Sequence, residues 1–274
     1  MKIINTVSEW KAVLKNLNGK SIGFVPTMGA LHEGHLSLIH KAKSENDIVA
    51  ASIFVNPMQF NNADDFANYP STLDRDVSQL QLQGCDYLFL PDQEIMYPRN
   101  DHFKVSESEI TKVLCGPTRP GHFDGVATIV LKLFNIIQPT TAYFGEKDFQ
   151  QLRLIKSMAD NLFLPIKISG QPTVRDEYGF ALSSRNKRLS SEGIALARLV
   201  ISIFLNVKDL SAADLRIRGL NVKIDYLEEI WDRRFIAFFV EGVRLIDNVD
   251  LKSIGLNNFG GLKLATSSIG VAQQ

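Results

Sequence analysis

The 274-residue sequence is poor in cysteine, has no excess charge of either sign and contains no long hydrophobic run. Its two cysteines, Cys85 and Cys115, fit a reducing compartment without a disulfide framework, so we expect a cytoplasmic protein. Lys plus Arg and Asp plus Glu both total 30, which argues against nucleic acid as a partner. No apolar run approaches the roughly 18 residues of a membrane span, and we expect neither a secretion signal nor a membrane partner.

The chain does contain an alternation of strand-like and helix-like segments over its first two-thirds. Short apolar runs predict strands at residues 22–25, 48–55, 87–90, 142–144 and 166–169. Helical periodicity predicts helices at about 33–45, 73–83, 124–137 and 148–162. This alternation predicts an α/β fold with a Rossmann-like, doubly wound parallel sheet, in which ligands bind beyond the carboxyl ends of the strands.

The remainder of the chain predicts a second, smaller α+β domain. Its pattern is a helix at about 191–206, a polar helical piece, and strands at 234–240 and 243–246. We therefore divide the chain into a Rossmann-like domain at 1–173 and a small C-terminal domain at 174–249. Residues 250–274, rich in Gly, Ser and Asn, predict a peripheral or partly disordered tail of unknown role.

The most informative segment is residues 24–35, where an apolar strand leads into a glycine-containing turn and two histidines. A helical pattern follows, and a helix N-terminus after a tight turn offers unpaired N–H groups and a positive dipole end to a phosphate chain. The form His32-Glu33-Gly34-His35 resembles the H-x-G-H signature of the nucleotidylyltransferase and class I aminoacyl-tRNA synthetase superfamily. This motif points to ATP, attacked at its α-phosphate.

Two other interpretations of these histidines remain open at this point. Zinc proteases carry H-E-x-x-H with the histidines four residues apart, whereas here the gap is three and a glycine intervenes. His32 and His35 can also be polar residues that merely cap a helix.

Six motifs together carry a resemblance to one family. They are PTMGALHEGH at 26–35, SIFVNPMQF at 52–60, RPGHFDGVATIV at 119–130, YFGEKDFQQL at 143–152, ALSSRN at 181–186 and RLIDN at 244–248. From Val25 to about Asn248 the chain resembles the pantoate–β-alanine ligase (pantothenate synthetase) family. The resemblance implies that pantoate attacks ATP to give pantoyl adenylate and pyrophosphate. The amine of β-alanine then attacks the acyl carbon and releases AMP.

The residue types suit that chemistry, because two anions must be brought together and the charge at the α-phosphate neutralised. Lys147 offers a cation at a strand–helix junction, and Asp148 can cap its helix or accept from the ribose. Ser183 and Arg185 occupy the place of the superfamily's mobile second signature. The ATP site that the resemblance implies consists of Met28, Gly29, Ala30, Leu31, His32, Glu33, Gly34, His35, Gly145, Glu146, Lys147, Asp148, Val174, Leu182, Ser183, Ser184 and Arg185.

The pantoate site implied by the resemblance contains two glutamines, whose neutral amides bind oxygen without quenching the nucleophilic carboxylate. Its residues are Pro26, Thr27, Met28, Gln59 and Gln151. The expected catalytic residues are His35 for proton transfer, His32 for the phosphates, and the cations Lys147 and Arg185.

The resemblance further implies Mg²⁺, which usually keeps substrate phosphates, water and one or two carboxylates as ligands. Asp76 is the candidate ligand, although its neighbour Arg75 stands where some relatives carry an acid. The polar segment 61–74 resembles the family's mobile gate over the site, and the C-terminal domain resembles its lid. The resemblance also implies a homodimer. His122 is left open between a structural and a functional role.

Two rival functions stay open on the sequence alone. Another H-x-G-H nucleotidylyltransferase would leave the nucleotide on its product and release only pyrophosphate. A non-catalytic nucleotide-binding homologue would bind ATP without turnover, although intact His32, His35 and Lys147 argue against it.

Overall fold

The computed structural model describes residues 1–99 and 102–256. Of the tail predicted for 250–274, residues 257–274 therefore lie outside the described part of the chain. The described residues form a six-stranded parallel sheet with helices packed on it and a separate three-stranded antiparallel sheet, which confirms the predicted α/β class and the smaller α+β unit.

The helices and strands follow the predicted alternation closely. The strands are β1 Lys2–Ile4, β2 Ile22–Thr27, β3 Ile48–Ile53, β4 Tyr87–Phe89, β5 Thr141–Gly145, β6 Lys167–Gln171, β7 Lys223–Ile230, β8 Arg233–Val240 and β9 Val243–Asp250. The α-helices are α1 Val7–Asn16, α2 Glu33–Glu45, α3 Ala63–Ala67, α4 Leu73–Leu82, α5 Gln93–Met96, α6 Cys115–Thr118, α7 His122–Ile137, α8 Phe149–Asn161, α9 Ser191–Asn206 and α10 Leu210–Arg218. Short 3₁₀ turns occur at Pro57–Gln59, Ile110–Lys112, Glu146–Asp148, Ser184–Arg188 and Leu251–Ser253.

The large sheet has the strand order β1-β4-β3-β2-β5-β6, with every pair parallel. Successive residues of a strand point to opposite faces, so Phe24 and Phe144 pack with α1, α7 and α8, whereas Val25 and Tyr143 pack with α2 and α4. Both faces are buried, which explains why these strands read as continuous apolar runs.

The chain leaves β2 toward β3 on one side and returns as β5 on the other, so the switch point of the sheet lies between β2 and β5. β2 pairs with β3 along its whole length but with β5 only at Gly23 and Phe24. The Ile22 carbonyl accepts from the N–H of Thr140 on the β5 side, so the backbone of every second residue, including Pro26, faces β5. Proline has no N–H to donate, and the two strands separate before it.

The smaller unit packs β7, β8 and β9 against α9 and α10 around a second apolar core. Tyr226, Phe235 and Ala237 of this sheet belong instead to the core of the large sheet. The division at residues 173 and 174 remains a prediction. None of the helices in the described residues is long and apolar enough to cross a membrane.

The turn at Pro57–Gln59 is held against α7 by a backbone contact that only glycine permits. A Cβ on Gly125 would lie 2.4 Å from the carbonyl oxygen of Met58 and 2.8 Å from the nitrogen of Gln59. The Gly125 carbonyl also accepts from Asn56 Nδ2 at 3.1 Å. The position of Gln59 therefore depends on the absence of a side chain at residue 125.

We expect Gly125→Ala to displace this turn and to lower the free energy of unfolding by about 1–3 kcal/mol, the usual cost of overpacking. Urea denaturation measures the loss. Gly219→Ala at the end of α10 is the control, because its Cβ would lie 3.3 Å from the nearest atom, the Arg216 carbonyl oxygen. Equal losses in the two variants would contradict the backbone-contact argument.

Candidate active site

A cavity of about 230 Å³ opens where β2 and β5 separate, beyond the carboxyl ends of the strands. It brings together most of the residues predicted for the site, although they come from five separate segments, at 26–35, 59, 145–151, 174 and 182–185. Those that line it are Pro26, Thr27, Met28, His32, Gly34, His35, Gln59, Gly145, Lys147, Asp148, Gln151, Val174, Leu182, Ser183, Ser184 and Arg185.

Five residues predicted for the ATP site do not line this cavity: Gly29, Ala30, Leu31, Glu33 and Glu146. Ala30 and Leu31 are buried beneath the turn, where the Ala30 carbonyl accepts from Ser184 Oγ at 2.8 Å. These residues support the wall rather than form its surface.

His32 begins α2 and caps it. Its Nδ1 accepts from the N–H of Gly34 at 3.1 Å, and the ring reaches that position because residue 34 has no Cβ. Burial, followed by the charge of Lys147, lowers the pKa of His32 to about 4, so the ring is neutral at pH 7. With Nδ1 accepting, the proton resides on Nε2. His32 is thus both a cap and an N–H donor.

His35 stacks beside His32 with 4.0 Å between ring centroids. Its Nδ1 is shielded from solvent and has no hydrogen-bond partner among the described residues. Burial, then the neighbouring His32 and Lys147, holds the pKa of His35 well below its usual value. A buried nitrogen without a partner is costly in the free protein, and a ligand group can satisfy it.

Gln59 is oriented by a chain of hydrogen bonds. Its Oε1 accepts from Asn56 Nδ2 at 2.9 Å, and Asn56 Oδ1 accepts from Tyr97 Oη at 2.7 Å. Because the amide oxygen is engaged, the NH₂ group of Gln59 is the end that a ligand can use. Asn56 is 1 % exposed, so this orientation is fixed in a buried network.

The segment Ser183–Arg185 closes the cavity from the opposite side. Arg185 donates to Asp65 at 2.9 Å and Arg188 donates to the same carboxylate at 2.7 Å. Burial opposes ionisation of Asp65, yet the two guanidinium groups hold its pKa below the usual value. Asp65 lies on α3, in the predicted gate segment, and Tyr69 of that segment donates to the Gly29 carbonyl at 2.9 Å.

Asp76, the predicted magnesium ligand, lies beside the turn before α2 and does not line the cavity. It is 1 % exposed, and its Oδ1 accepts from the N–H of Leu31 at 2.8 Å and from Thr72 Oγ1 at 2.9 Å. The carboxylate fastens α4 to the turn before α2 instead of facing the cavity. The described residues contain no group of three His, Cys, Asp or Glu that could hold a metal ion, including at the two histidines.

The motif at 244–248 holds two of the cavity loops in place. Asp247 forms a two-pronged ion pair with Arg175 at 2.6 and 2.8 Å, beside Val174. Asn248 Nδ2 donates to the carbonyls of Glu146 and Lys147, each at 2.9 Å. The side chain of Asp148, in contrast, makes no cap to α8, so the capping role suggested from sequence is wrong.

Several further residues of the cavity wall were not predicted for the site, among them Tyr69, Arg119 and His122. His122 Nδ1 lies 2.8 Å from the Gln59 carbonyl, and burial followed by the charge of Arg119 lowers its pKa to about 3. The motif at 119–130 marked this part of the sequence as belonging to the family. The motif alone did not indicate that the His122 side chain contacts Gln59, which lies 63 positions earlier in the chain.

The all-parallel sheet, with His32 and His35 at its switch point, defines a doubly wound α/β protein whose ligand site lies beyond the carboxyl ends of the strands. A family model described as pantoate–β-alanine ligase matches residues 2–250. The chain is 45% identical over 250 residues to a pantothenate synthetase of Bdellovibrio bacteriovorus, covering 91% of this chain and 99% of that protein. It is 44% identical to one from Coxiella burnetii, over 90% of this chain and 96% of that protein.

Solved structures agree with this assignment. A pantoate–β-alanine ligase from Francisella tularensis, described as complexed with βγ-ATP and β-alanine, gives a TM-score of 0.88 at 42% identity and covers 92% of this chain and 98% of its own. A pantothenate synthetase from Thermus thermophilus gives a TM-score of 0.86 at 40% identity, covering 92% of this chain and 99% of its own. The chain belongs to the pantoate–β-alanine ligase family.

Members of this family are ligases of pantothenate biosynthesis. They form a C–N bond by the ATP-dependent condensation of pantoate with β-alanine, and this chain is a ligase of the same kind. The relatives do not favour the alternative of another H-x-G-H nucleotidylyltransferase.

Because the pKa values of the cavity histidines are lowered in the folded protein, we expect the free energy of unfolding to decrease as the pH falls. His122 is neutral when folded until about pH 3, whereas in the unfolded chain it takes up a proton below about pH 6.5. The unfolded state therefore binds more protons between these values, and stability decreases as the pH falls through this window. At pH 5 we expect a loss of about 2 kcal/mol from His122.

Urea unfolding at pH 5, 6, 7 and 8 measures this dependence. His122→Gln should flatten the slope between pH 5 and 6.5, whereas His40→Gln, at an exposed position on α2, should leave it unchanged. A slope that is the same in the wild type and in His122→Gln would contradict the argument.

Proposed function

We propose that this chain carries out the family reaction in this cavity through a pantoyl adenylate, with the residue roles given below. The observation that supports this most directly is the set of donors collected there: the neutral His32 N–H, the Lys147 ammonium and the amide NH₂ of Gln59. Such a set attracts anions, and the carboxylate of Asp148, which also lines the cavity, lies 4.0 Å from Lys147 Nζ.

In the first step the pantoate carboxylate, held by Gln59 and Gln151, attacks the α-phosphorus. A carboxylate oxygen–phosphorus bond forms, and the bond to pyrophosphate breaks. The carboxylate is ionised at pH 7 and needs no base. His32 Nε2–H and the cations Lys147 and Arg185 neutralise the charge that develops on the phosphates. The apolar side of Met28 receives the methyl groups of pantoate.

The remaining predicted ATP residues contribute backbone surface. Val174 and Leu182 lie side by side, since the N–H of Leu182 donates to the Val174 carbonyl at 3.0 Å, and this pair receives the adenine. Asp148 has a half-exposed side chain and is the acceptor for the ribose hydroxyls. Gly145 allows the chain to approach the nucleotide closely.

In the second step the amine of β-alanine attacks the acyl carbon and displaces AMP. His35 is the group that assists proton transfer. Its pKa is depressed in the free cavity by burial and nearby positive charge, and the negative phosphates of ATP act in the opposite direction. His35 therefore becomes a better base when the nucleotide is bound.

Mg²⁺ is part of this proposal only as an ion carried by the ATP phosphates. The described residues offer no cluster of three metal ligands, and Asp76 is engaged by Leu31 and Thr72. An ion that keeps water and phosphate oxygens as its main ligands fits such a site. When bound, it would neutralise phosphate charge.

Three further properties follow from the resemblance alone. We infer a cytoplasmic homodimer, a mobile gate at residues 61–74 and a lid role for residues 174–249. The ion pairs from Asp65 to Arg185 and Arg188 support the gate and lid roles, because they join the segment 61–74 directly to the segment that begins the C-terminal domain. Closure over the adenylate would protect it from water.

The proposal is tested by pantoate-dependent exchange of labelled pyrophosphate into ATP, with Mg²⁺ and without β-alanine. Reversible adenylate formation predicts exchange only when pantoate is present. Exchange without pantoate, or ATP binding with no exchange at all, would contradict the proposed first step. Release of AMP on addition of β-alanine distinguishes a ligase from a nucleotidylyltransferase that leaves AMP on its product.

Gln59→Ala should raise the KM for pantoate by roughly 10- to 100-fold, the cost of one or two hydrogen bonds to a charged ligand. The KM for ATP should change little. Steady-state kinetics provides both values, and Gln81→Ala, at an exposed position on α4, is the control. Equal increases in both KM values would mean that Gln59 has a structural role.

A further inference from the structure

Arg119 is fixed to the backbone of the proposed pantoate residue. Its Nη2 donates to the Gln59 carbonyl at 3.1 Å, and its Nη1 contacts His122 Nε2 at 2.9 Å. His122 Nδ1 lies 2.8 Å from the same carbonyl. The set is consistent with a neutral His122 that donates from Nδ1 and accepts at Nε2, leaving three of the five guanidinium N–H groups of Arg119 for other partners.

Among the described residues, no carboxylate forms an ion pair with Arg119. The two arginines whose charges act on it, Arg185 and Arg244, each have one. Arg185 pairs with Asp65 at 2.9 Å, and Arg244 pairs with Asp225 at 2.7 Å. A largely buried guanidinium without an anion is unusual, because a buried charge is costly unless it is paired.

The charge of Arg119 is correspondingly disfavoured. Burial lowers the pKa of Arg119 to about 10, Cys115 and Asp65 act in the opposite direction, and the positive charges of Arg185 and Arg244 add to the lowering. The group remains protonated at pH 7. An incoming anion would therefore regain electrostatic energy that the free protein lacks at this position.

Arg119 also lines two cavities. One is the cavity that contains Gln59 and Gln151, and the other is a cavity of about 420 Å³ between the gate and β9. Lys147, Ser183 and Arg185 line both. A second substrate can thus approach Arg119 from this outer cavity while an acyl adenylate fills the inner one.

We propose that Arg119 binds the carboxylate of the amine substrate and thereby selects an amino acid over a simple amine. This inference rests on the proposed function, in which that substrate is β-alanine. Pantoate and ATP have their own donors in Gln59, Lys147 and Arg185, so the carboxylate of β-alanine is the substrate anion left without a partner. An arginine suits it, since a guanidinium matches a carboxylate with two parallel N–H groups.

With its carboxylate held, β-alanine can extend its amine toward the acyl carbon. The ammonium first loses one proton, and the free lone pair forms the C–N bond. The bond between the acyl carbon and the phosphate oxygen breaks, AMP leaves with that electron pair, and the nitrogen loses its second proton. Arg119 takes no part in these transfers. It is a positioning residue for the second substrate.

The experiment compares β-alanine with β-alaninamide, which has nearly the same shape but an uncharged amide in place of the carboxylate, in the wild type, Arg119→Gln and Arg119→Lys. We expect Arg119→Gln to lower kcat/KM for β-alanine by roughly 10- to 100-fold and to leave that for β-alaninamide almost unchanged. Arg119→Lys should recover part of the preference, because it keeps the charge but not the two-pronged geometry. The control is Arg153→Gln, which removes an exposed guanidinium that stacks on Trp231.

Pantoate-dependent pyrophosphate exchange in the same variants separates the possible failures. The proposal expects exchange to persist in Arg119→Gln, because β-alanine takes no part in that half-reaction. Loss of exchange, or an equal loss toward both amines, would overturn the assignment and give Arg119 a structural role through Gln59. Absence of exchange in the wild type would overturn the proposed function itself, and this assignment with it.

Discussion

The site depends on the separation of β2 from β5. Backbone hydrogen bonds hold the two strands together at Gly23 and Phe24, and they end before Pro26, whose missing N–H faces β5. β2 remains paired with β3 to its last residue, so the sheet stays intact on one side while it opens on the other. The cavity therefore begins at this proline, which lines it.

The electrostatics of this cavity follow from the same geometry. The turn after β2 delivers His32 and His35 into a buried place beside Lys147, and burial next to a cation keeps both rings neutral. Lys147 and Arg185 carry positive charges and lie on other segments of the cavity wall. The ion pair with Asp65 partly neutralises the charge of Arg185. A pocket of neutral donors and fixed cations suits substrates that are all carboxylates or phosphates.

Local features of this structure could be predicted from the sequence. α2 begins and ends at the residues that its periodicity indicated, and the strands after which motifs occur were found within a few residues. The short β1 and the strand β7 were not predicted. β1 has only three residues, too few for a pattern. The apolar residues of β7 do not alternate regularly, because the register of the strand shifts between Ile224 and Tyr226 and Tyr226 packs into the core of the other sheet.

Roles that depend on distant partners could not be predicted in this way. Asp76 and Arg119 both stand in or near recognisable motifs, and both carry a charge in a buried place. Asp76 finds its donors on Leu31 and Thr72, so its charge is already used in fastening the turn. Among the described residues, the hydrogen-bond partners of Arg119 are the carbonyl of Gln59 and a neutral histidine. The motif supplies the residue type, whereas the long-range packing decides whether the charge is left for a ligand.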